Sequence, residues 1–241
     1  MTFGLFAGGA GGASAAEVWR PDVAAARAYA AQRPGVVSFS VRTERRAWGH
    51  RPRRGVPAAS TLKAMLLVAY LRQEARGRPL RPGERRLLGP MVRRSDNVAA
   101  TRVRDAVGKR RLERFARRAG MRRFGAHPVW GLSRVDAADL TTFMLEADRL
   151  TPRRHRGYAM RLLASVVPSQ RWGVAKVKPR GWRLYFKGGW GSGTGLVDDQ
   201  AALLTRGEDR VAVAVTTTDN GSHAAGRRTL RGVFRRLLRG L

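Results

Sequence analysis

The chain has 241 residues, 43% of them apolar, which is enough for one large domain or two packed subdomains with a sizeable core. Cysteine is absent, which excludes disulfide frameworks, thiol catalysis and cysteine-ligated metals. The formal net charge of +31 attracts polyanions whatever the fold, but arginine is spread through every segment, with no RNA-binding aromatic motif, zinc pattern or basic zipper. The expectation is a solvated basic surface and no specific nucleic-acid partner.

The opening MTFGLFAGGAGGASAAEVWR is small and apolar with an A-S-A-like end but no basic n-region, so residues 1–18 read as a signal remnant or a disordered arm of an exported, extracellular or cell-wall protein. No later apolar run approaches the roughly 20 residues needed to cross a bilayer, and the expectation is a monomer that is not transmembrane. PDVAAARAYAAQ, from Pro21 to Gln32, predicts a helix, with proline at its start and RPG to stop it. GVVSFSVRT alternates as a strand, and RRAWGHR returns as its hairpin partner.

After Pro57 the pattern is helical: STLKAMLLVAYLRQEARG, NVAATRVRDAVG, RLERFARRAG, DAADLTTFMLEADRL and HRGYAMRLLASVV, each closed by glycine, proline or a polar cluster. Strands resume with WRLYFKGGW, GLVDDQAALLTR and RVAVAVTTTD, and AAGRRTLRGVFRRLLRGL closes the chain as an amphipathic helix. The expected fold class is α+β: a five-stranded antiparallel sheet flanked by the terminal helices (19–56 and 175–241), with an all-helical lobe (57–174) inserted and a site in the cleft between lobes.

Three short elements carry chemistry. Ser60 and Lys63 share one face of a helix that begins near Ala58; the apolar neighbours and the helix dipole lower the lysine pKa toward what a base for a serine hydroxyl needs. With five lysines against forty-three arginines, a lysine here is not explained by a general demand for basicity, because arginine cannot deprotonate. Alone, the pair also fits a serine cap followed by a snorkelling lysine. The second element is Ser95-Asp96-Asn97 ahead of a helix, otherwise readable as a cap; the third is Lys187 at the end of a strand running into glycines, where a substrate backbone can approach a fixed positive charge.

In this order the three elements resemble the S-x-x-K, S-D-N and K-T-G signatures of the class A β-lactamase and penicillin-binding serine acyl-transferase superfamily. The resemblance spans essentially the whole chain and is greatest to class A β-lactamase-related serine hydrolases. It implies Ser60 as the acylated nucleophile, Lys63 as its partner in proton transfer and Ser95 as the relay to the leaving nitrogen. Asn97 then holds substrate and lysine, Lys187 orients the substrate carboxylate, and the amides of Ser60 and Trp190, just beyond Gly188-Gly189, form the oxyanion hole. Gly189 and Trp190 thus join the substrate-binding set. The implied substrate is a β-lactam or a peptidoglycan peptide ending in D-alanine. No cofactor or metal is implied.

The pattern departs in three places. The Ser60–Ser95 spacing is short for class A, so the helical lobe is trimmed. Gly188 replaces a hydroxyl residue, for which Ser192 or Thr194 are weak substitutes. Residues 121–140 hold no glutamate to activate a deacylating water; Asp136 reads better as a helix start and His127 as a loop residue. The expectation is an acyl-enzyme former with slow turnover. The alternatives are a D,D-peptidase and a non-catalytic cationic binder of wall polymers or nucleic acid.

Overall fold

The computed structural model describes residues 19–191 and 196–241. The expected signal remnant, 1–18, lies outside the described residues, as do Ser192 and Thr194. Helix α1 (Val23–Ala31) is capped by Asp22, whose carboxylate accepts from Ala25 N at 2.8 Å. Strands β1 (Val36–Arg42) and β2 (Ala47–His50) form the expected hairpin, and β5 (Arg183–Trp190), β6 (Val197–Arg206) and β7 (Asp209–Thr218) complete one antiparallel sheet in the order β2-β1-β7-β6-β5. Between them lie α2 (Leu62–Gln73), α3 (Pro82–Arg93), α4 (Asn97–Val107), α5 (Lys109–Arg118), α6 (Ala137–Leu150) and α7 (Arg153–Ala164), and α8 (His223–Leu237) closes the chain.

Period-two alternation sorts each strand into two cores. Val37, Phe39 and Val41 of β1, Ala202 and Leu204 of β6, and Val211, Val213 and Val215 of β7 pack beneath α1 and α8 with Leu230, Val233 and Phe234. The opposite face presents small residues, Ala201, Ala212 and Ala214, which let α6 lie close across the strands, and Ser40 Oγ meets Thr141 Oγ1 of α6 at 3.0 Å. That second core continues without interruption into the helical lobe around α2, whose residues Leu62 to Leu71 are all buried.

Two features were not foreseen. Helix α3 is one, because Gly83, Gly89, Pro82 and Pro90 each count against a helix. Pro82 sits in the first turn, where its missing N–H costs nothing, and the Glu84 carboxylate accepts from Arg81 N at 2.7 Å to complete a capping box. Pro90 ends the useful length: its carbonyl accepts from both Arg94 N and Asp96 N, folding the chain into the loop that carries Ser95. The other is a two-residue ladder, β3 (Val56–Pro57) with β4 (Arg134–Val135), which ties the approach to Ser60 to the segment ahead of α6.

Candidate active site

The helix expected near Ala58 starts with a 3-10 turn, Ala59–Thr61, and becomes α-helical at Leu62. Ala59 has φ +41 and Ser95 φ +60, left-handed values that cost a non-glycine residue roughly 1–2 kcal/mol. Both strained residues line the same cleft, one presenting Ser60 and the other carrying its own hydroxyl there.

Lys63 does not snorkel. It is fully buried, the only charge between Leu62 and Leu71. Its Nζ donates to Ser95 O at 2.5 Å, Asn97 Oδ1 at 2.7 Å and Ser95 Oγ at 3.1 Å. No hydrogen bond joins it to Ser60 among the described residues. Burial is the dominant influence and outweighs the attraction of Asp96, bringing the Lys63 pKa down to about 7. About half of such lysines are neutral at pH 7, against roughly one in three thousand for an exposed lysine.

Asp96 caps α4, accepting from Ala99 N at 2.8 Å, which leaves Ser95 and Asn97 on either side of the cap facing Lys63. Lys187 is also fully buried; its Nζ reaches Ser95 Oγ at 3.1 Å and Gly188 O at 2.7 Å. Burial, then repulsion from Lys63, against attraction by Asp199, brings its pKa to about 7. Strand β5, expected to end at Lys187, runs on through Gly188 and Gly189 to Trp190.

The register of that extension orients the Trp190 amide. Gly191 N donates to Val197 O, so Trp190 and Asp198 form the next, non-hydrogen-bonded pair, and Trp190 N–H points away from β6. Strand β5 is the sheet edge, and the Ser60 turn packs over the sheet face at the Gly189–Asp199 pair: a Cβ on Gly189 would sit 2.7 Å from Ser60 N and 2.3 Å from Asp199 Oδ1. The site therefore brings Ser60, Ser95, Asn97 and Trp190 to one cleft, over Lys63, Lys187 and Gly189.

The expected gap at Gly188 is filled. A Cβ there would lie 3.1 Å from Trp172, so an indole occupies the space a side chain would take. Trp172, Trp190 and His223 pack ring to ring, and His223 Nδ1 bonds the buried Asp198 Oδ1 at 2.5 Å. Burial raises the Asp198 carboxyl to about 6 and the Asp199 carboxyl well above the usual range. Sequence reasoning missed this pair, although two adjacent aspartates inside the otherwise apolar β6 were a visible signal.

Neither Asp136 nor His127 is placed to activate water. Asp136 is buried as the cap of α6, accepting from Asp139 N at 2.8 Å, with Arg123 Nε 3.6 Å from its other oxygen. His127 is hydrogen-bonded within its own loop to Val129 and is absent from the cleft lining. Asp139, the remaining acid of 121–140, accepts from Arg122 N and Arg123 N. Above Lys63 lies Trp130, ring centroid 4.7 Å from Nζ, which no sequence spacing announced. Among the described residues no group of three or more His, Asp or Glu is arranged to hold a metal, and no helix is long and apolar enough to cross a membrane.

A family profile described as the beta-lactamase enzyme family matches residues 84–239, covering Ser95 and Lys187 but beginning after Ser60. Among solved structures the chain is similar to PBP-A (18% identity, TM-score 0.76, 89% of this chain and 92% of that one). It is also similar to a β-lactamase from Sphaerobacter thermophilus (21% identity, TM-score 0.76, 90% and 95%) and to an ancestral class A β-lactamase (18% identity, TM-score 0.76, 91% and 100%). A search of curated proteins finds no match. With the profile spanning more than half of its length, the chain belongs to the beta-lactamase enzyme family, as a β-lactamase-like serine hydrolase.

Proposed function

We propose that this protein forms an acyl-enzyme on Ser60 with β-lactams and releases the acyl group slowly. The observation that carries the reading is the Ser95 hydroxyl held at 3.1 Å from two fully buried lysines, Lys63 and Lys187, beside the Ser60 turn. In the proposed sequence Ser60 Oγ attacks the lactam carbonyl carbon while its proton passes to neutral Lys63. The oxyanion lies between the amides of Ser60 and Trp190. As the C–N bond breaks, the nitrogen takes the proton of Ser95 Oγ, which is resupplied from Lys63, and charged Lys187 faces the substrate carboxylate. Asn97 keeps Lys63 aimed at Ser95.

Deacylation needs a base beside the ester, and the acids of 121–140 are all engaged in holding backbone or arginine. The same machinery suits a peptide ending in D-alanine, which is the second reading. Either substrate is met outside the cytoplasm, and we propose export on that ground and on the small, apolar character of residues 1–18.

Intact-mass spectrometry after incubation with benzylpenicillin tests the proposal. The expected result is a stable adduct on Ser60, absent in Ser60→Ala; no adduct on the wild-type protein overturns it and leaves the cationic-binder alternative. Rapid steady-state hydrolysis of a chromogenic cephalosporin overturns the slow-release part, and release of D-alanine from a muropeptide identifies the peptidase.

A further inference from the structure

The cleft does not end at the reacting groups. Its volume is about 750 Å³, and from Ser60 it continues past Val56 and Pro57 to Arg54, Thr218 and Asp219. The sheet register gives the direction and length of this arm. Gly191 bonds Val197 across β5 and β6, and Val197 pairs with Thr218 across β6 and β7. From the Trp190 end of β5 to Thr218 is therefore two strand spacings, roughly 10 Å.

The walls along the way are apolar and open. Val129, Leu132 and Leu196, three of the four exposed large hydrophobics among the described residues, all line the cleft, at 58%, 53% and 52% exposure. Side chains of this kind gathered in one concavity mark a binding surface.

Arg54 stands at the far end. It is half-buried, and its Nη2 donates to Thr218 Oγ1 at 3.1 Å, a hydroxyl that in turn donates to Asp219 Oδ2 at 2.9 Å. Arg54 Nη1 is buried with no hydrogen-bond partner, which leaves Nε and Nη2 as the edge a ligand can meet, and no carboxylate of the described residues is within ion-pair distance of the guanidinium. Most arginines of this chain project into water, where a lone charge costs little. A half-enclosed guanidinium with unused donors instead gains from an anion that completes its fork. Asp219 is exposed and occupied by Thr218, so it does not serve as that anion.

We propose that Arg54 is the anion-recognising end of an acyl-side subsite, and that the acyl donor carries an apolar side chain ending in a carboxylate. This rests on the acyl-enzyme reading for its chemistry, since the carboxylate in question belongs to the side chain of the acyl group and is distinct from the one that Lys187 is proposed to orient. The spacer lies against Val129, Leu132 and Leu196, and its terminal carboxylate meets the Arg54 fork.

The test uses two derivatives of one cephalosporin nucleus, adipoyl and hexanoyl, which differ only in whether the six-carbon side chain ends in a carboxylate. Second-order acylation of Ser60 is followed by intact mass at about 0.15 M salt, where the general attraction of a cationic protein is screened within roughly 8 Å. The adipoyl compound is expected to react about tenfold faster with wild-type protein, the ratio to fall to about one in Arg54→Gln and to be partly kept in Arg54→Lys. Equal rates in the wild type, or a ratio that survives Arg54→Gln, overturn the assignment. If neither compound acylates Ser60, the acyl-enzyme reading fails, and calorimetric binding of the same two compounds to the same proteins decides Arg54 by the same ratio.

Discussion

The indole of Trp130 lies over the ammonium of Lys63, its centroid 4.7 Å from Nζ, while its own Nε1–H is held by Thr101 Oγ1 at 3.1 Å. The ring occupies the loop side of Lys63 and closes against it the region in which a water-activating carboxylate would have to stand. It also favours the charged lysine by roughly 0.5–2 kcal/mol, the wrong direction for a base. Replacing Trp130 with glutamate therefore puts a carboxylate where none exists. Trp130→Glu is expected to shorten the lifetime of the Ser60 acyl-enzyme by at least about tenfold, followed by mass after removal of free penicillin. An unchanged lifetime removes Trp130 as the reason for slow release.

The two buried lysines make both activity and stability depend on pH. Acylation needs Lys63 neutral and Lys187 charged, and each is brought to about 7. Because they share Ser95 Oγ they titrate as a pair, so the acylation rate should be a bell centred near pH 7, rising as the first proton leaves and falling as the second does. For stability the sign follows from proton counts. Between about 7 and the ordinary lysine value the unfolded chain holds protons that the folded chain has released, so stability rises with pH across that window; below it both burial penalties are fully felt. Urea unfolding between pH 6 and pH 9 should show this lysine contribution as a rise in stability, opposed in part by Asp199, whose raised carboxyl keeps a proton that the unfolded chain has lost. In Lys63→Met the lysine contribution should roughly halve while acylation is lost.

How much of this was readable in advance depended on whether local chemistry or tertiary approach decided each feature. The strands were legible because alternation such as Val37, Phe39 and Val41 follows directly from a sheet buried on one face. Ser60, Lys63, Ser95 and Asn97 were legible as helix-start residues of unusual type. Helix α3 was not, since its two prolines are tolerated only because one sits in the first turn and the other at the last, where its carbonyl builds the Ser95 loop. Trp130, Trp172 and Arg54 are brought to the site by packing between distant segments, and no spacing along the chain encodes that.

Gly189 is needed for lack of a side chain, not for its conformational freedom. A Cβ there would lie 2.3 Å from Asp199 Oδ1 and 2.7 Å from Ser60 N, and neither neighbour is a flexible chain end able to swing aside. Asp199 is fully buried and bonded by Thr61 Oγ1 at 3.1 Å, which lies next to the nucleophile. Gly189→Ala must push the Ser60 turn away from β5 and so separate the two amides of the oxyanion hole. The expected result is at least about a hundredfold loss in acylation rate, the scale of losing an oxyanion donor, with the protein still folded by circular dichroism. A variant that acylates normally shows that β5 does not set the position of Ser60.

Glu84 ties the trimmed helical lobe together from within. Its carboxylate accepts from Arg78 Nη2 at 2.6 Å, Arg81 N at 2.7 Å and Tyr70 Oη at 3.0 Å, so one acid joins the end of α2, the intervening turn and the first turn of α3. The Arg78 hydrogen bond is the leading cause that holds its pKa down to about 2. A depressed carboxylate stabilises the fold above its ordinary value near 4.5, and that contribution is lost as pH falls from there toward about 2. Replacing Glu84 with glutamine keeps the shape and removes the charge. Glu84→Gln is expected to cost about 1–3 kcal/mol at pH 7, read from urea unfolding, and to flatten the acid limb of stability between pH 5 and pH 2. Because α3 delivers the loop that carries Ser95, the same variant should also slow acylation by penicillin; unchanged stability at pH 7 shows that the lobe is held by its apolar core alone.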